Sequence, residues 1–182
     1  MSRALIVIDY TNDFVADGRA LTCGKPGQAI EGETARITKE FIMKEDFVVF
    51  AVDIHKKNDP HHPETALYPP HNIEGTAGRH LYGSLQDVYM ESRHLDHVFW
   101  MDKTRYSAFA GTNLEILLRE RGITELHLIG VCTDICVLHT AVDAYNKGFK
   151  LVIHEKAAAS FDEEGHKWAL RHFKGSLNAQ IQ

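Results

Sequence analysis

The sequence is poor in the features that would take it out of the ordinary globular class. Three cysteines in 182 residues are too few for a small disulfide-stapled secreted fold. No block of lysine or arginine occurs and the net charge is −5 with histidine neutral, which argues against nucleic acid as a partner. Apolar runs are short. The first, ALIVI, stops at Asp9, well short of a membrane span or a signal-peptide core, and no small-residue cleavage site follows it. These absences point to a cytoplasmic protein without a membrane partner, whose thiols stay reduced. A hydrophobic fraction of 44% and a charged fraction of 25% suit a chain that buries a sizeable core, and residues 1–182 are expected to form one domain. Proline is also scarce, and four of the five prolines (Pro60, Pro63, Pro69 and Pro70) fall in one stretch.

What is present alternates. ALIVID (4–9), FVVFAVD (47–53), HVFWM (97–101), ELHLIGV (125–131) and KLVIH (150–154) are short apolar runs with the form of buried parallel strands. NAQI (178–181) is a candidate sixth. Helical spacing falls between them. Residues 28–44 place Ile30, Ile37, Phe41 and Ile42 on one face. Residues 113–122 and 134–147 stop at Gly122 and Gly148, and a further helix opens at Ser160 or Asp162 and runs to Phe173. The expected fold is α/β, a three-layer α/β/α domain around a six-stranded, mostly parallel sheet. Residues 54–83 hold the proline-rich stretch and read as one long irregular loop, which a compact domain rarely keeps without a use.

In open α/β sheets ligands bind beyond the carboxyl ends of the strands. Those ends carry Asp9, Asp53 with His55, Lys103, and the turn GVCTDICV with Cys132 and Cys136. The cysteine pair lacks the partner ligands of a zinc clip. Thr133 or Asp134 is a candidate cap for the next helix, which puts Cys136 in its first turn, where unpaired N–H groups and the helix dipole favour a thiolate. Location alone leaves Cys136 evenly poised between nucleophile and packing residue, whereas Cys132 reads as a small buried apolar side chain. Asp9 suits a base. Lys103 suits a group that orients Asp9 and lowers the thiol pKa. The N–H groups at Cys132 and Cys136 suit an oxyanion. In the loop, Asp53, His55, Glu64 and His71 form a mixed oxygen and nitrogen set for a divalent ion, with His61 and His62 competing for a place. A polar, histidine-rich surface would show the same spacing.

Four segments carry a resemblance. ALIVIDYTNDF, then VDIH with HPET and PPH, then MDKTRYSAF, and finally GVCTDICVLHTAVDAY together resemble the cysteine hydrolases of the isochorismatase-like superfamily, and within them the nicotinamidases. The resemblance implies an Asp9–Lys103–Cys136 triad and a cis peptide before Cys132, whose N–H helps build the oxyanion hole. It implies one divalent metal, zinc before manganese or iron, on Asp53, His55, His71 and Glu64, and aromatic walls from Phe14, Tyr68 and Tyr106. The implied reaction turns nicotinamide, and also pyrazinamide, into the acid and ammonia through a cysteine thioester, in NAD salvage. A homo-oligomer is compatible with this picture. Isochorismatases lack the metal loop and the nucleophilic cysteine, and carbamoyl or ureido amidohydrolases keep the triad but generally lack the Asp-x-His…His set. A binding domain that kept only the scaffold is the remaining alternative.

Overall fold

The structure, a computed structural model, describes residues 2–19 and 21–182. Strand β1 (Arg3–Ile8) lies at the centre of a sheet. After it come the short helices α1 (Asn12–Val15) and α2 (Gly24–Ala29), then α3 (Glu31–Met43) and β2 (Phe47–Asp53). A long loop with two 3₁₀ turns leads to α4 (Ser84–Ser92) and β3 (Val98–Lys103). The second half runs α5 (Leu114–Glu120), β4 (Glu125–Val131), α6 (Leu138–Asn146), β5 (Lys150–Ala159), α7 (Glu163–Ser176) and β6 (Gln180–Ile181).

Among the described residues six strands lie in the order β3-β2-β1-β4-β5-β6, every neighbouring pair parallel. Alternation along the central strands feeds two cores. Ile6, Val49 and Leu128 face Leu118, Ala141 and Phe173 on one side. Leu5, Val48 and Phe50 face Ile37, Phe41 and Leu85 on the other. The strand order reverses between β1 and β4, and at that switch point the two strand ends splay and leave a crevice. There Gly130 has φ +119° and pairs with Ile8, and an added Cβ would sit 2.0 Å from the Ile8 carbonyl oxygen. Only glycine permits this approach.

Several boundaries differ from the sequence pattern. The expected helix 28–44 is two helices broken at Ile30. Helix α4 has no counterpart in the sequence pattern. Its buried Leu85 and Val88 are diluted by polar neighbours and by Met90, which faces solvent. β5 continues past His154 to Ala159, because a register shift opposite Leu128 and Gly130 carries it over a charged interruption. Among the described residues no helix is long and apolar enough to cross a membrane.

Candidate active site and metal centre

Asp9 directly follows β1 and takes φ +52°, a left-handed conformation that aspartate tolerates better than most residues. Fully buried, its carboxylate turns toward β2 and β3. Oδ1 accepts the main-chain N–H of Asp53 at 2.8 Å, and Oδ2 lies 2.6 Å from the Lys103 ammonium. Lys103 is the last residue of edge strand β3, in register with Asp53. Its Nζ also donates to Asp53 Oδ1 at 2.5 Å and to the Arg105 carbonyl at 3.1 Å. One ammonium thus joins two buried carboxylates.

Cys136 arrives from the other side of the switch point. The peptide Val131–Cys132 is cis. The chain then makes one π-helical turn, Thr133–Val137, in which Ile135 and Val137 both donate to the Cys132 carbonyl. This turn, rather than a cap from Thr133 or Asp134, brings Cys136 inward, with its sulfur within 4.8 Å of carboxylate oxygens of Asp9 and Asp53.

The electrostatics correct one expectation. The helix start and Lys103 were expected to lower the thiol pKa, but burial, together with the charges of Asp9 and Asp53, raises it well above the ordinary cysteine range against the pull of Lys103. The lysine's charge is already shared by two carboxylates. Burial and the Asp53 charge push Asp9 up to about 6, even with Lys103 pulling the other way. Burial works against ionised Asp53 as well, yet the Lys103 ammonium holds Asp53 below its usual range. For Lys103 the attraction of Asp53 and Asp9 overcomes burial and fixes the proton. A raised Cys136 thiol thus stands beside an Asp9 carboxyl whose own affinity for a proton is increased.

Asp53 faces a second group with its other oxygen. Donor atoms of Asp53, His55, Glu64 and His71 lie within 4.8 Å of one another, and all four residues are buried. His71 Nδ1–H donates to the Pro69 carbonyl at 2.9 Å, which leaves Nε2 as a bare lone pair. Asp53 Oδ2, His55 Nε2 and His71 Nε2 are all buried without a hydrogen-bond partner among the described residues. Buried polar atoms are normally paired, so three converging orphans fit a cation. Charge agrees: Asp9, Asp53 and Glu64 face one buried ammonium, an excess of two negative charges at full ionisation that a divalent ion would balance.

The loop supplies this set through its own hydrogen bonds. His55 and Ile73 form a short parallel bridge, and His55 N–H donates to the carbonyl of Asn72, a buried residue at φ +43°. His62 does not compete for the ion. Its Nε2 donates to the Thr104 carbonyl at 2.8 Å and its Nδ1 accepts the Glu64 N–H, so it holds Glu64 in place. His61 is exposed.

A cavity of about 250 Å³ opens between the two groups and touches Asp53, Glu64, Cys132 and Cys136. Phe14, Tyr68 and Tyr106, the residues the resemblance offers as aromatic walls, line it together with Leu21, Thr22, Ile135 and Phe161. The sequence reading missed the last four. Ile135 was visible inside the TDIC turn, but Leu21 and Phe161 come from loops that no periodicity marks.

Known proteins resemble this chain along its length. Residues 3–182 match the isochorismatase domain family. An isochorismatase family protein of Bacillus subtilis is 62% identical over 181 residues, covering 100% of this chain and 99% of its own. A crystal structure of a nicotinamidase/pyrazinamidase from B. subtilis superposes with a TM-score of 0.99 at 62% identity, covering 100% and 99% of the two chains. The pyrazinamidase/nicotinamidase of Streptococcus mutans gives 0.98 at 52%, covering 100% of both. A pyrazinamidase of Pyrococcus horikoshii in complex with zinc gives 0.86 at 27%, covering 100% and 99%. With its parallel sheet, its strand-end carboxylate, lysine and cysteine, and a family match along nearly its whole length, this chain belongs to the isochorismatase family.

Proposed function

We propose that residues 1–182 form one catalytic domain that hydrolyses nicotinamide to nicotinate and ammonia, accepts pyrazinamide, and acts in NAD salvage. The observation that carries this reading is the sharing of Asp53. Its Oδ1 meets Lys103 of the Asp9–Lys103–Cys136 group, while its Oδ2 is an orphan of the four-residue donor set. A cavity of about 250 Å³ is below the usual volume of a drug-sized site and suits one small ring with its carboxamide. The B. subtilis and S. mutans proteins described as nicotinamidase/pyrazinamidase support the same choice.

The chemistry follows from the residues. Phe14, Tyr68 and Tyr106 hold the ring and keep water from its faces. The Cys136 sulfur adds to the amide carbon as its proton passes to Asp9, so the thiol ionises only as the bond forms. N–H groups of Cys132 and Cys136 receive the oxyanion. Collapse expels ammonia, which takes the proton back from Asp9 and leaves a thioester on Cys136. Asp9 then draws a proton from water, whose oxygen adds to the thioester carbon. The acid leaves and the thiol recovers its proton. Lys103 stays charged throughout and keeps Asp9 in line. Asp53, His55, Glu64 and His71 would hold zinc, or manganese or iron, which when bound supplies a Lewis-acid anchor for a ring nitrogen.

The test is ammonia release from nicotinamide, pyrazinamide and benzamide, with and without a chelator. Benzamide keeps the shape but lacks the ring nitrogen, and sites built around a polar atom reject such analogues strongly. Nicotinamide and pyrazinamide are expected to be turned over well above benzamide. Equal kcat/KM for benzamide would remove the metal from substrate recognition. Turnover of a ureido or carbamoyl amide without nicotinamide would favour a different amidohydrolase of the superfamily, and no turnover of any amide would leave a binding domain.

A further inference from the structure

We infer that Arg79 is a positioning residue that clamps the ends of β2 and β3 behind the Asp53–Lys103 pair and thereby sets the affinity of the metal site. The inference rests on the reading of Asp53 as a metal ligand. Arg79 lies outside the cavity, at the end of the second 3₁₀ turn, Ala77–Arg79, where the long loop returns to the sheet. Its Nε donates at 2.8 Å to the main-chain carbonyl of Asp53, the last residue of β2. Its Nη2 donates to Asp102 Oδ1 at 2.5 Å, one residue before Lys103 on β3. The guanidinium lies 5.9 Å from the Trp100 ring, and Trp100 Nε1 donates to the same Asp102 oxygen at 2.8 Å.

The topology explains why a clamp matters here. Among the described residues β3 is an edge strand paired only with β2, so Lys103 is located by one ladder that ends at its own position. Side chains alternate along a strand. Trp100 and Asp102 therefore form the grip on one face of β3, while Lys103 enters the buried site from the other. Asp53 has three obligations at once: its N–H to Asp9, Oδ1 to Lys103, and Oδ2 to the donor set. A planar guanidinium with fixed donors can hold its peptide and the neighbouring strand together in a way that a lysine point charge cannot fully reproduce.

Partners of ligands typically change metal affinity or activity by about 10–100-fold when removed. Arg79→Met is expected to weaken zinc binding by roughly tenfold or more in chelator competition, with kcat recovering at saturating zinc. Arg79→Lys should recover part of the affinity, and Asp102→Asn should shift it in the same direction by less. A folded Arg79→Met protein with wild-type zinc affinity overturns the clamp. Lost melting temperature with unchanged zinc affinity does so too, because it marks a purely structural role. If Arg79→Met does not fold, Asp102→Asn decides: weakened zinc binding supports the clamp, and wild-type binding overturns it. A wild-type protein that takes up no zinc overturns the metal reading and the clamp with it, whereas a zinc-binding wild type matched by both variants overturns the clamp alone.

Discussion

Asp9 and Asp53, 44 residues apart, are tied twice: the Asp53 N–H donates to Asp9 Oδ1 at 2.8 Å, and both carboxylates share the Lys103 ammonium. All three residues are almost wholly buried. Removing the cation leaves two facing charges without compensation, and breaking a buried pair typically costs about 3–5 kcal/mol. Lys103→Gln should therefore lose stability on that scale in urea unfolding as well as activity. Adding Asp9→Asn to it should restore part of the stability and none of the activity. Unchanged stability in Lys103→Gln would mean that the carboxylates are already neutral.

The three cysteines divide by environment. Cys136 faces Asp9, whereas the Cys132 sulfur lies 3.2 Å from that of Cys23. If only the main chain of residue 132 serves the oxyanion, Cys132→Ala should keep its rate within about tenfold, while Cys136→Ala should fall by about 10³-fold or more. Steady-state ammonia release measures both. Because burial raises the Cys136 thiol, alkylation of the free enzyme near pH 7 should be slow for a catalytic cysteine. Rapid stoichiometric alkylation of Cys136 would show a preformed thiolate instead.

The histidines of the loop should separate in the same way. His71→Ala removes a bare Nε2 from the donor set and should abolish tight binding of a divalent ion. His61→Ala removes an exposed ring and should leave binding intact. His62→Ala should be intermediate, because its ring fixes the Glu64 N–H and bridges to Thr104. Metal content after gel filtration reads all three, and retention by His71→Ala would show that the donor set has been misassigned.

Much of this site could be read from the chain because strand ends advertise themselves. A short apolar run that stops at Asp9, at Asp53 or at Asp102 just before Lys103 marks both the strand and its carboxyl edge, and one topological rule gathers the stops. What could not be read depends on tertiary packing. The π turn at Thr133–Val137 has no spacing of its own, since TDICV is compatible with an ordinary first helical turn. α2 contains Gly24, Pro26 and Gly27, residues that read as breakers, yet the Tyr10 hydroxyl donates to the Gly27 carbonyl and fixes that segment against β1. The raised Cys136 thiol follows from complete enclosure and from Lys103 being shared, neither of which the sequence states. Arg79 is invisible for the same reason, as its partners come from two strands and its own position from the far end of a loop.

A histidine pair far from the proposed chemistry should tie stability to pH. His127 on β4 and His154 on β5 are stacked, with Nδ1 of one 2.8 Å from Nε2 of the other, so a single proton lies between them. Glu125 lies against the far nitrogen of His127, and Arg3, Asp46, Glu33, Arg36 and Glu40 surround the pair. Burial, then the neighbouring His127, pushes His154 down to about 4, and burial lowers His127 as well. In the unfolded chain both would titrate near the ordinary value of about 6.5. Between those values the unfolded state binds more protons, so stability rises with pH. The contribution is complete above about pH 6.5 and is lost as pH falls toward 4. Buried carboxylates add their own acid dependence, so the difference between proteins is the useful quantity. His154→Gln removes one titrating group, and its melting temperature should fall less steeply than that of the wild type from pH 6.5 to 4. Parallel curves over that range would show that the His127–His154 pair does not titrate on unfolding.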